Sequence, residues 1–251
     1  MITLKTSKEL ALMKEACIIS ARALKLAGEA VEPGTTTAEI DKIAYDYIVK
    51  SGAVPNFLHY NGFPATACIS INHEVIHGIP NAKRVIQAGD LVKIDLGAAL
   101  HGYNGDNAAT FAAGTISEAA KRLSDATRES LQKAIRVARA GGRVGDIGAA
   151  VSAVCSPLGY GIVRDFTGHG IGKALHEDPS VPNFGMSGRG VRLLPGMTLA
   201  IEPMINQGDS AVRVQPDGWT VLTRDGGLSA HFEHTVAITA DGPIILTDPE
   251  L

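Results

Sequence analysis

The sequence predicts an α+β fold built as two similar halves, and three observations carry that expectation. Two long amphipathic stretches precede a block of short strand-like runs, and the same order then recurs. The joints between the paired helices look alike. Pro33-Gly34 stands before Glu39-Ile40 and Gly141-Gly142 before Asp146-Ile147, offsets of 108 and 107 residues. Glycine is abundant, 28 of 251 residues against a typical ~7%, as expected where turns are tight and backbone approaches closely. No low-complexity linker separates the halves, so one domain over 1–251 is expected, with pseudo-repeat halves of about 1–115 and 116–251. Chance likeness of two such joints is the competing explanation.

Thr6-Ser7-Lys8-Glu9 forms a capping box, a Thr oxygen for the first amides and a Glu reaching back. It opens a helix over Leu10–Val31, stopped by Pro33-Gly34. A second helix is expected over Thr37–Ser51, with Ile40, Ile43, Ala44, Tyr47 and Ile48 on one side. Strands follow at Thr66–Ile71, Leu91–Gly97 and Tyr103–Phe111. In the second half, helices are expected at Ser117–Ala140 and Val144–Val154. Strands are expected at Thr198–Ile205, Ala211–Val214, Thr220–Thr223 and Phe232–Thr239.

Composition excludes several classes. The net charge is −3 with no Lys/Arg block, which argues against a nucleic-acid surface. No window approaches the ~18 continuous apolar residues of a membrane helix. Glu9 and Glu15 interrupt the N-terminal stretch where a signal peptide needs an apolar core. Cys17, Cys68 and Cys155 are scattered, as expected of free thiols in a reducing, cytoplasmic setting.

The chemistry-bearing residues are acids and histidines. Val92-Lys93-Ile94-Asp95-Leu96-Gly97 and His101-Gly102-Tyr103-Asn104-Gly105-Asp106 are two strand-like segments with a short link. A hairpin centred between Leu100 and His101 would set Asp95 directly opposite Asp106, with Cβ atoms ~5 Å apart. Two like charges there call for a cation between them; another register would leave both acids in turns. His169, inside Thr167-Gly168-His169-Gly170-Ile171-Gly172, and His176, seven residues on, suggest backbone pressed close to a site. The glycine run is a poor phosphate loop, since Lys173 stands where its next glycine belongs. Glu202 and Glu233 lie in otherwise apolar runs, where a bare carboxylate costs several kcal/mol or more. A structural ion pair is the ordinary explanation for one such acid; two of them beside an Asp pair and a glycine-caged His favour a shared metal site. Four carboxylates and one neutral imidazole match the charge of two divalent cations. That donor set suits Mn, Fe, Co or catalytic Zn and not a structural Cys-type Zn site. A dinuclear centre of this kind supplies hydroxide near neutral pH and polarises a carbonyl.

Asn72-His73-Glu74-Val75-Ile76-His77-Gly78-Ile79-Pro80, Ile94-Asp95, Gly105-Asp106, Gly168-His169-Gly170-Ile171-Gly172, Ile201-Glu202-Pro203-Met204 and Phe232-Glu233-His234-Thr235 together resemble the type I methionine aminopeptidases. The resemblance covers essentially the whole chain. It implies the pita-bread fold (creatinase/aminopeptidase), two pseudo-symmetric α+β halves around a curved antiparallel sheet. It implies two divalent ions, with Asp95 on one, Asp106 and Glu233 bridging, and His169 and Glu202 completing the other. His77 and His176 match the family's two non-ligand histidines, placed to bind the scissile amide and its tetrahedral intermediate. Glu202 is also implied as proton shuttle. Tyr60, Phe63, Cys68 and Trp219 would form the methionine side-chain pocket, suited to a flexible thioether. The partner implied is the N-terminal peptide of a nascent protein with a small second residue, met at the ribosome, by a monomer with no membrane or nucleic-acid role.

Two positions depart from the family's commonest pattern, Ile76 before His77 and Leu175 before His176, where Cys and an aromatic are frequent. Glu233 follows Glu202 by 31 positions, too few for the helical insertion of type II. The chain starts almost at its first helix, so neither a zinc-binding extension nor the N-terminal domain of X-Pro peptidases is expected. An X-Pro peptidase of the same fold and a metal-free peptide-binding module are the alternatives.

Overall fold

The computed structural model describes residues 1–248. The first half contains α1 (Ser7–Glu29), α2 (Thr37–Lys50), β1 (Val54–Pro55), β2 (Ala67–Ile71), β3 (Glu74–Ile76), β4 (Leu91–Leu100) and β5 (Tyr103–Ala112). The second contains α3 (Glu118–Val137), α4 (Val144–Cys155), β6 (Gly161–Ile162), β7 (Gly168–Gly170), β8 (Glu177–Val181) and β9 (Thr198–Ile201). It continues with β10 (Met204–Asn206), β11 (Val212–Val214), β12 (Val221–Thr223), β13 (Ser229–His231), β14 (Glu233–Ile238) and β15 (Pro243–Ile245).

A nine-stranded sheet runs in the order β1-β4-β5-β14-β9-β7-β8, with β2 added on β4 and β15 on β14. Its pairings are antiparallel throughout. Two three-stranded sheets, β13-β10-β6 and β11-β12-β3, flank it.

Helices cover one face of the large sheet. Ser20 of α1 donates to the Leu96 carbonyl at 3.1 Å and also bonds Asn107 Oδ1, a facing pair on β4 and β5. Gly105 lets the α1 backbone come down at Cys17, where a Cβ would strike. α3 and α4 bury Leu123, Leu131, Ile147 and Val151 against Leu199, Ile201, Val236 and Ile238. Strand side chains alternate between faces, so residues adjacent to these in sequence, Asp95, Asp106, Ala108 and Ala200, point away from the helices.

The capping box at Thr6/Glu9 forms as the sequence predicts, and a second one, not anticipated, forms at Thr36/Glu39, each a contribution of about 1 kcal/mol. Helix bounds move by up to three residues: α1 starts earlier and ends sooner than expected, α2 and α3 are shorter, and α4 is one residue longer. The joints repeat in bonding detail. Gly34 N donates to Ile86 O and Gly141 N to Leu193 O, both at 2.9 Å; Thr37 N donates to Arg84 O and Val144 N to Val191 O, both at 2.9 Å. Every partner is 107 residues from its counterpart, and Gly34 and Gly141 both have positive φ, 99° and 90°. The one-residue slip vanishes once Gly34, rather than Pro33, is matched to Gly141.

Two strand expectations are corrected. The run Thr198–Ile205 is two strands, because Pro203 has no N–H for a ladder. The chain breaks at Glu202-Pro203 and passes from the large sheet to β10 in a small one. The β4–β5 hairpin turns at His101-Gly102, with φ of 53° and 77°, so Leu100 pairs with Tyr103. Asp95 therefore faces Ala108 and Asp106 faces Gly97, not each other. The slip is two residues, an even number, which keeps both acids on one face as diagonal neighbours.

Candidate metal centre and its cleft

Two adjacent rows of the large sheet assemble the site on the face without helices. Along the first, Cys68 on β2 faces Asp95 on β4, Asp95 faces Ala108 on β5, and Ala108 faces Glu233 on β14. Along the second, Gly97 faces Asp106, the Thr235 hydroxyl donates to the Asp106 carbonyl at 2.8 Å, Thr235 faces Ala200, and Ala200 faces His169. Glu202 follows Ile201, the last residue of β9 paired with β14, just where the chain leaves the ladder beside Glu233. Small residues, Gly97, Ala108 and Ala200, alternate with the acids and leave room above the sheet. The glycines around His169 have a packing reason: a Cβ on Gly168 would strike the Ala200 carbonyl and one on Gly170 the Asp178 carbonyl.

One donor atom from each of Asp106, His169 and Glu233 lies within 4.8 Å of the others. His169 Nδ1 is 2.8 Å from the Gly170 carbonyl, which can only accept, so Nδ1 carries the ring proton. Burial holds this imidazole neutral, its pKa down at about 4. Its Nε2 therefore presents a lone pair, 3.6 Å from Glu202 Oε1 and 3.8 Å from Asp106 Oδ2.

Lone-pair atoms thus face one another with too few protons between them. Asp95 Oδ1, Asp106 Oδ1 and Glu233 Oε1 are also sealed from solvent without a hydrogen-bond partner. Burial raises all four acids: Asp95 to about 7, Glu202 to about 8, and Asp106 and Glu233 well above the carboxylate range, with their neighbours' charges adding to the last two. A group of oxygens plus one imidazole nitrogen, short of positive charge, fits hard or borderline divalent cations.

Above these rows opens a cavity of about 270 Å³. It is lined by Asp95, Asp106, His169, Glu202 and Glu233, by His77 and His176, and by Tyr60, Phe63, Cys68 and Trp219. All eleven residues singled out from the sequence meet here. Phe57, Asn61 and Leu175 also line it and were not among them. His176 is fixed by Tyr60: the rings stack with centroids 5.3 Å apart, and His176 Nδ1 shares a hydrogen bond with the Tyr60 hydroxyl at 2.9 Å. His77 has φ of 58°, a strained value for a non-glycine residue, and stands edge-on to Phe166 and Trp219. Burial holds both histidines neutral. Phe63 packs edge-on to Trp219 at 5.1 Å and clusters with Cys68. Burial, with the acids nearby, pushes the Cys68 thiol up, so it serves as a small apolar group.

The chain matches a known family. The profile of metallopeptidase family M24 matches residues 11–240. The chain belongs to that family. Within M24 it groups with the methionine aminopeptidases. One from Clostridium acetobutylicum is 50% identical over 247 residues, covering 98% of this chain and 99% of the relative. The crystal structure of methionine aminopeptidase from Thermotoga maritima matches with a TM-score of 0.97 at 42% identity, covering 99% of this chain and 100% of that one. Prolidase from Pyrococcus furiosus has a TM-score of 0.76 at 26% identity, covering 98% of this chain but 65% of its own. This M24 chain therefore has the pita-bread fold expected of it. Among the described residues, no helix is long and apolar enough to cross a membrane.

Proposed function

We propose that this chain is a dinuclear metal-dependent methionyl aminopeptidase, removing the initiator methionine from nascent proteins whose second residue is small. The observation that carries the reading is the convergence of four carboxylates and one lone-pair imidazole on the floor of an apolar-sided cleft. Asp95, Asp106, His169, Glu202 and Glu233 would hold two ions of Co, Mn, Fe or Zn. Such ions supply a strong nucleophile at neutral pH and polarise the scissile carbonyl.

The protein's own groups do the rest. His176, braced by Tyr60 through Nδ1, keeps Nε2 for the substrate. His77 offers a second neutral imidazole to the same cleft, edge-on to Trp219. Each can hydrogen-bond the scissile amide, with the bond strengthening as charge develops on its oxygen. Glu202, whose carboxylate lines the cleft floor, would carry a proton from the attacking water to the leaving amine. Tyr60, Phe63, Cys68 and Trp219 would enclose the methionine side chain. The setting we infer is cytoplasmic, a monomer acting on chains as they leave the ribosome.

The test is cleavage by chelated protein with and without added Mn, Co, Fe or Zn. Substrates are Met-Ala-Ser and Met-Leu-Ser peptides, with Leu-Ala-Ser as control. Metal-dependent release from the first alone is the expected result. Cleavage of X-Pro peptides instead would move the chain to the prolidase side of the family, and metal binding without cleavage would favour a binding module.

A further inference from the structure

We propose that His231 is a positioning residue for Glu202, donating a hydrogen bond from Nε2 to Oε2 and leaving Oε1 for the cation that His169 shares. The inference rests on the metal reading of the site. His231 is 1% exposed, and neither ring nitrogen has a hydrogen-bond partner. A buried imidazole left this way is costly, and an unsatisfied group in a native core calls for an explanation. Its Nε2 stands 3.7 Å from Glu202 Oε2, while the other oxygen, Oε1, faces His169 Nε2 at 3.6 Å. The carboxylate is bracketed by two imidazoles of opposite character. His169 carries its proton on Nδ1 and can offer Glu202 only a lone pair, whereas both His231 nitrogens are uncommitted and Nε2 is free to donate.

The position of the ring is built into the fold. His231 N donates to Thr110 Oγ1 at 2.9 Å, and Thr110 Oγ1 donates to His231 O at 2.8 Å, clamping its backbone on β5. β13 pairs His231 with Met204, two residues after Glu202. The 3.7 Å separation is slightly beyond hydrogen-bond range, and contacts of this kind tighten when a site is loaded. Outer partners that orient metal-binding side chains are worth about 10- to 100-fold in metal affinity.

The test compares Co(II) binding by calorimetry and the Co(II) visible spectrum in wild type, His231→Leu, His231→Ala and His231→Gln. Circular dichroism and melting of the chelated proteins confirm folding; the Ala variant carries the test if Leu does not fold. Leu and Ala should bind Co(II) about 10- to 100-fold more weakly with shifted bands, and Gln, which keeps an N–H donor, should return to within about threefold. Wild-type affinity and spectrum in Leu and Ala would overturn the proposal. So would a Gln variant as weak as Leu, because that makes the imidazole itself a ligand. If the wild type binds no Co(II), it is the metal reading of the whole site that fails.

Discussion

Asp95→Asn should make the metal-free protein more stable while abolishing turnover. Burial lifts the Asp95 carboxyl from its ordinary 3.8 to about 7, and Oδ1 has no hydrogen-bond partner. For an acid with a raised folded pKa, the penalty is absent below the unfolded value and complete above the folded one. About three pKa units at about 1.4 kcal/mol each give roughly 4 kcal/mol at pH 8. At pH 5.5 only the interval from the unfolded value counts, roughly 2 kcal/mol. Asp95 opens on the cleft, and water there screens it, so about half of each figure is the lower bound. Asparagine has the same shape and bears none of this penalty. In EDTA the variant should therefore melt about 5–15 °C above wild type at pH 8, with a smaller gain at pH 5.5. With saturating Mn or Co the order should invert, because wild type gains ligand-linked stability that the variant cannot. Calorimetric scans at both pH values, with and without metal, read all four conditions. A chelated variant no more stable than wild type, or a gain independent of pH, would refute the electrostatic account of the cluster.

Chelated wild type should lose stability as pH rises above 6.5, where the penalties of Asp95 and Glu202, which begin to build at their unfolded values, run on to completion at about 7 and 8. Below it, His77, His169, His231 and His234, each held down at about 4, lose stability as the unfolded chain takes up protons from 6.5 downward; melting curves from pH 4.5 to 9 check this. Tyr60→Phe removes the hydroxyl that shares a hydrogen bond with His176 Nδ1, so kcat should fall about tenfold with little change in KM, read by steady-state kinetics. Phe63→Ala or Trp219→Ala opens the apolar wall and should raise KM for Met peptides about tenfold or more; an unchanged KM removes that residue from the pocket. Ala108→Leu sets a bulky group between Asp95 and Glu233 and should lose metal binding by calorimetry while circular dichroism stays native.

Much of this was legible in the sequence because it depends on local rules. The capping box at Thr6, the paired helices and the acids within apolar runs all announce themselves within a few residues. The β4–β5 register did not, because His101 adopts positive φ beside Gly102 and moves the turn by one residue, which no local apolar pattern reveals. The parity of that error preserved the juxtaposition of Asp95 and Asp106. Short strands such as β7 and β13, Gly168–Gly170 and Ser229–His231, were hidden, since three residues with no apolar run carry no strand signal. His231 was passed over for that reason, although it lies two residues before Glu233, the strand spacing that returns a side chain to one face. Phe57 and Asn61 came into the cleft through loop packing, a long-range outcome.

The 107-residue recurrence of the joint hydrogen bonds extends to the acids. β4 begins at Leu91 and β9 at Thr198, so Asp95 and Glu202 stand at the same count from their strand starts, Asp95 within β4 and Glu202 one residue past the end of β9. The first stretch, to residue 115, carries Asp95 and Asp106 alone, while His169, Glu202 and Glu233 all come after it. Neither fragment owns a cation centre. A chain cut in the loop before α3 should bind no ion as separate pieces and should recover the site when both are mixed and dock. Covalent continuity would then be dispensable, and docking of the two pieces would be the step that creates the catalyst.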